Sequence, residues 1–268
     1  MTDPSASAVH PGAGASSGWA AELRATFALA WPLVIAQLAQ NALTTTDVIM
    51  LGWLGPAYLA AGTLATSFLM PFLVGCNGII GAVAPLTAQA RGARNIKAVR
   101  RIVRQGLWAS ILLALLVIPI LWQIAPIFAF LGQDPSATVL AEQYMHSAVL
   151  MFFPALGIIA LRSLLSSFDA TRIILAVTVT GVLFNAAANY VLIFGHFGFP
   201  RLELRGSAIA TVLSNMLMFA LMLTYVLRQR RFRRFYVLRR FWAPDWPRFR
   251  EIFRIGLPIG LTVLAEVG

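Results

Sequence analysis

RGARNIKAVRRIVR (residues 91–104) runs directly into QGLWASILLALLVIPILWQIAPIFAFL (105–131), and this junction decides the fold. The second piece carries no charged residue over 27 positions. At 1.5 Å of rise per residue, about 20 such residues cross the roughly 30 Å hydrocarbon of a bilayer. A surface helix of a water-soluble protein instead alternates apolar and polar faces. The basic piece ahead of it belongs in water or among lipid headgroups. The chain therefore passes between two solvents at residue 105.

Working outward, further apolar runs predict spans at 27–53, 57–88, 139–167, 173–195 and 206–227, and a seventh begins near Ile252 and reaches Gly268. Pro71, Pro85, Pro119 and Pro154 are the expected kinks, since proline cannot donate to the carbonyl four residues back. Composition agrees, with 59% hydrophobic and only 12% charged residues and a mean hydropathy of +0.78. Water-soluble domains carry about a quarter charged residues. The reading is an all-α, polytopic transmembrane bundle. Its parts are a tail at 1–24, rich in Ala, Ser, Gly and Pro and expected to be disordered, a six-helix lobe at 25–227, a basic linker at 228–251, and the start of a seventh helix at 252–268. The tail lacks the basic start and apolar core of a signal peptide.

The formal charge of +11 raises the question of nucleic acid. The basic residues, however, fall in two blocks between apolar runs, which argues for headgroups and against a nucleic-acid surface. The first block holds Arg91, Arg94, Lys97, Arg100, Arg101 and Arg104; the second runs from Arg228 to Arg254. The loops at 54–56 and 132–138 hold no basic residue, and 196–205 is mixed, with Arg201, Glu203 and Arg205. The positive-inside rule then places the N-terminus and both blocks in the cytoplasm, with the inner (plasma) membrane as the expected location. Six crossings return the chain to the side its linker requires. The single cysteine, Cys76, lies in an apolar run, so no intrachain disulfide forms and the thiol is expected to be buried and inert.

FALAWPLVIAQLAQN (27–41) and FRIGLPIGLTVLAEV (253–267) align Phe27 with Phe253, Pro32 with Pro258, Leu38 with Leu264, Ala39 with Ala265 and Gln40 with Glu266. The seventh span thus restarts the first, as a parallel repeat of two helical lobes would; chance likeness of two apolar helix starts is the alternative. A helix over 256–268 is only about 20 Å long. A chain ending there would leave carbonyls unpaired in hydrocarbon, so the sequence reads as truncated, with a missing C-terminal lobe.

A carboxylate at mid-span costs about 2.5–3.5 kcal/mol on insertion scales. Asp47, in the outer half of the first span, and Glu266, in the seventh, are such residues, whereas Glu142 and Asp169 lie at span ends. Asp47 is either a reversible site for a proton or metal cation or a helix-end acid solvated outside. Asn185 and Asn189 share a face of the fifth span at i, i+4, and Thr211 on the sixth lies at matching depth. With Asp47 they form a candidate cation or proton site; the alternative is that they only tie helices together. Glu266 would need a partner beyond Gly268. Gln37, Gln40 and Asn41 on the first span are candidates for a substrate cavity, interior packing being the alternative. His146 and His196 read as interfacial or packing residues. No convergent nucleophile, base and ligand set is apparent, so no enzyme and no cofactor is expected.

TTTDVIMLGWLG (44–55), APLTAQARGARN (84–95), LRSLLSSFDATR (161–172), FNAAANYVLIFG (184–195), GSAIATVLSN (206–215) and GLPIGLTVLAEV (256–267) resemble the bacterial branch of the multidrug and toxic compound extrusion (MATE) family. The resemblance covers the chain after about residue 25. It implies half of a two-lobed, twelve-helix transporter that exports cationic or amphipathic drugs in exchange for Na+ or H+. It assigns Asp47 to the first-helix acid of that family, Asn185 and Thr211 to site positions on the fifth and sixth helices, and Glu266 to the seventh-helix acid. Asn189 stands where some members carry Asp, which bears on a proton-relay mechanism. A proline expected after the fourth helix is missing, since Ile173 and Ile174 follow Arg172. A lipid-linked oligosaccharide flippase of similar build would need basic residues deep in a span, and Arg162 is near an end. A non-transporting membrane remnant is the other reading.

Overall fold

A computed structural model describes residues 15–233, 242 and 245–267. Among them there is no strand. The helices are α1 (Ala15–Leu54), α2 (Pro56–Gly81), α3 (Val83–Gly92), α4 (Ile96–Trp122), α5 (Ile124–Phe130), α6 (Pro135–Ala148), α7 (Phe152–Ser167), α8 (Thr171–Phe194), α9 (Glu203–Arg228), α10 (Arg230–Arg233) and α11 (Trp246–Val267). Among the described residues, five stretches are long and apolar enough to cross a bilayer: 56–92, 96–122, 135–167, 171–194 and 203–228. The first predicted span lies inside α1, whose 40 residues exceed what a crossing needs.

Two of the four predicted prolines interrupt their spans. Pro85 leaves the Gly81 carbonyl without its helical donor, and α2 gives way to α3 there, with a loosened Ala82 N–H to Ile79 carbonyl contact of 3.4 Å. Ahead of Pro154 the chain tightens into a 3-10 turn at Val149–Met151. Pro71 and Pro119 sit inside unbroken helices. A break the prediction lacked falls at Gln123, three residues before Pro126, and splits the third span into α4 and α5.

Helix starts also differ from those expected. α1 begins at Ala15, within the stretch assigned to the tail, while residues 1–14 lie outside the described part. α4 begins at Ile96, not 105, because Asn95 caps it by accepting from the Ala98 N–H at 2.9 Å. α6 begins at Pro135 behind an Asp134 cap. α11 starts at Trp246, six residues before the expected Ile252, where Asp245 supplies the carbonyl for the Phe249 N–H at 2.9 Å. Of the linker expected at 228–251, residues 234–241, 243 and 244 lie outside the described residues.

α2, α4, α6 and α7 pack around the most deeply buried side chains, among them Phe128, Phe152, Leu156 and Leu161. Leu112, Leu115 and Leu116 project from α4 with 47–64% exposure, as lipid-facing residues do. In lipid, helices associate through close fit and polar contacts, because apolar surface gains nothing by leaving one oil for another. Small residues supply that fit where α11 crosses α2. A Cβ on Gly78 would stand 2.5 Å from the Gly260 Cα, so only glycine admits the crossing. α1 and α11 each hold an internal proline, Pro32 and Pro258, as their sequence alignment requires.

Candidate functional site

α1, α8 and α9 form a second packing unit in which α8 touches both neighbours. At Gly206 the two backbones come close: a Cβ there would lie 2.6 Å from the Leu192 carbonyl oxygen of α8. Gly195 caps α8 in the left-handed region at φ 73° and turns the chain toward this contact. The close approach carries Thr211, a turn and a half along α9, toward α1. There the polar residues meet.

Asn189 donates from Nδ2 to Asp47 Oδ1 at 2.5 Å and to Asn185 Oδ1 at 3.1 Å. Thr211 donates from Oγ1 to the other carboxylate oxygen, Oδ2, at 3.1 Å. Asn215 donates to the Thr211 carbonyl at 2.8 Å and steadies that turn of α9. Asn185 and Asn189 are fully buried, and Asp47 is half-buried. Asn189 Oδ1 and Asn185 Nδ2 have no hydrogen-bond partner among the described residues. A buried polar atom left unpaired costs about 1–3 kcal/mol. Chemically it offers a carboxylate, two amide oxygens and a hydroxyl, a donor set that suits a hard cation or a proton.

Four of the five sequence-predicted cation-site residues are therefore together. Glu266 is not with them. It is exposed on α11, which packs chiefly against α2 and α4, and no hydrogen bond or ion pair joins it to the described residues. Gln37 and Asn41 are exposed and Gln40 half-buried on α1. Sequence reasoning missed Tyr144, buried on α6 within electrostatic reach of Asp47. It also missed the clasp between Tyr58 on α2 and Glu203 on α9, in which the phenol donates at 2.6 Å to Oε2. His146 stacks on Trp122 with ring centroids 4.6 Å apart, and Cys76 is buried.

The MatE family profile matches residues 32–191, the stretch that holds Asp47, Asn185 and Asn189. The chain belongs to the MatE family. Members of this family are transporters, not enzymes. A probable multidrug resistance protein NorM from Rhizobium meliloti is 44% identical over 251 residues, 94% of this chain and 54% of that relative. The NorM protein of Brucella suis is 41% identical over 92% of this chain and 53% of its own length. The chain thus spans about half the length of the curated relatives it matches. The crystal structure of a eukaryotic MATE transporter superposes with a TM-score of 0.82 at 19% identity, covering 93% of this chain and 55% of that one. A MOP superfamily transporter from Pyrococcus furiosus gives 0.78 at 24% identity, over 89% and 52%. This chain thus shares the fold of about half of each.

Proposed function

We propose that the protein is a secondary active efflux transporter of the bacterial inner membrane, exporting cationic or amphipathic small molecules in exchange for Na+ or H+ by alternating access. The observation that carries this reading is the Asp47 cluster, where a buried Asn189 oxygen lacks a partner beside a carboxylate. A carboxyl group is costly in a span, and a cation bound beside it offsets that cost. Cation uptake at Asp47, Asn185, Asn189 and Thr211 favours one conformation and drug binding the other, each by its differential affinity. Gln37 and Asn41 lie one turn apart on an exposed face of α1. Amides facing lipid would be penalised, so this face lines a polar drug cavity shared with a second six-helix half. The alignment of 27–41 with 253–267 supports such a repeat. Glu266 belongs to that half in this reading. The two basic blocks support a cytoplasmic N-terminus.

Moving one charge through 100 mV is worth about 2.3 kcal/mol, roughly fifty-fold in concentration. A monovalent drug exchanged for one cation moves no net charge, so the ion's own concentration ratio drives it. The test is Asp47→Asn in the full-length protein reconstituted in vesicles. Drug-dependent ion movement is expected to disappear. Exchange that persists would remove Asp47 from the mechanism.

A further inference from the structure

Away from the Asp47 cluster, at the basic end of the bundle, a cavity of about 310 Å³ opens between the end of α3, the start of α4 and the end of α7. Its walls are of two kinds. Ile96, Val99 and Phe168 are apolar, and Arg91 and Arg94 are cationic. Arg91 is held in place: it pairs with Asp169 at 2.7 Å, donates to the Ser167 carbonyl, and lies 5.2 Å above the Phe168 ring. That pairing also cancels the charge of Asp169, a carboxylate that would otherwise repel an anion.

Arg94 differs. It occupies the left-handed region at φ 52°, with its N–H given to the Arg91 carbonyl at 2.9 Å. Its side chain is exposed, and no carboxylate lies within ion-pair distance of it or of Lys97 among the described residues. Left-handed backbone is unfavourable for arginine, so the turn that holds Arg94 at the cavity is maintained by its surroundings. The first turn of α4 holds no acidic residue, and the positive end of that helix adds to the local potential.

The cavity's height is given by α8. Arg172 is followed at once by the apolar Ile173, and Phe168 closes α7 across the short connection to α8, so the cavity lies where charged surface meets apolar span. A small water-soluble anion gains nothing from walls of Ile96, Val99 and Phe168. A molecule with a phosphate joined to an apolar body uses both kinds of wall. We infer that this cavity holds the headgroup of an anionic phospholipid, with its phosphate near Arg94 and its glycerol and upper chain against Ile96, Val99 and Phe168. The inference needs only membrane placement, so it stands or falls apart from ion coupling at Asp47.

The test is native mass spectrometry of the full chain in mixed micelles of phosphatidylglycerol and phosphatidylcholine, counting retained lipid. One basic residue near a membrane surface is worth about fivefold in anionic-lipid binding (about 1 kcal/mol). Arg94→Ala is expected to reduce retained phosphatidylglycerol about fivefold and leave phosphatidylcholine unchanged. Ile96→Glu keeps the fold, because a carboxylate is favourable at a helix start, and is expected to reduce it at least as much by placing like charge in the cavity. Arg228→Ala, in the other basic block, is expected to change nothing. Equal losses in all three variants would mean general attraction to a basic surface and would overturn the site. Displacement of the lipid by millimolar inorganic phosphate would also overturn it, in favour of a free-anion site.

Discussion

Gly206→Ala tests how the proposed cation site is assembled. The added Cβ would stand 2.6 Å from the Leu192 oxygen, 2.7 Å from its carbon and 2.9 Å from the Ile193 nitrogen. All three atoms are helix backbone and cannot rotate aside. Restoring an ordinary contact of about 3.4 Å requires α8 and α9 to part by about 0.8 Å. Thr211 lies five residues along α9, about 7.5 Å away, and moves with it. Its 3.1 Å bond to Asp47 then lengthens beyond hydrogen-bonding range. A hydrogen bond to a charged group contributes about 1.5–3 kcal/mol, so the half-saturating concentration of the coupling ion is expected to shift by roughly tenfold or more. For Na+ it rises, because an oxygen ligand withdraws. The assay is drug export by full-length protein in vesicles as a function of ion concentration. Gly52→Ala is the control, since nothing lies within 4 Å of its Cβ position. If Gly206→Ala exports with unchanged ion dependence, the close contact of α8 and α9 does not build the site.

Two further outcomes follow from the same geometry. Asn189→Leu keeps the volume but removes the donor to Asp47 and the unpaired oxygen, so ion-coupled export is expected to vanish while helical content by circular dichroism stays; coupled export at the normal rate would refute the assignment. Gly78→Ala forces α2 away from the Gly260 backbone and is expected to lower stability by about 1–3 kcal/mol, seen as a reduced melting temperature in detergent, whereas an unchanged melting temperature would show that α11 does not need this crossing.

Much of the architecture was legible because a bilayer imposes few solutions. Length and apolarity alone locate a span, and the run at 105–131 announces one without any contact being known. Boundaries were less legible, because a cap or an ion pair can carry a helix past its apolar stretch. Asn95 extends α4 by nine residues, and Asp245 starts α11 ahead of Ile252. The break at Gln123 was missed because Pro126 sits among residues as apolar as those around Pro119, and only packing distinguishes the two.

The candidate site divides along the same line. Periodicity puts Asn185 and Asn189 on one face of α8, and the cost of charge in oil marks Asp47 for attention. Both follow from local geometry and solvation, which the order of residues determines by itself. That Asn189 and Thr211 take opposite oxygens of the Asp47 carboxylate, that Tyr144 sits nearby, and that Glu266 stands apart on α11 were decided only by tertiary structure. The reason is physical: Asp47 and Thr211 lie 164 positions apart in the chain, and what joins them is the distance between helices, set by side chains such as the absent one at Gly206.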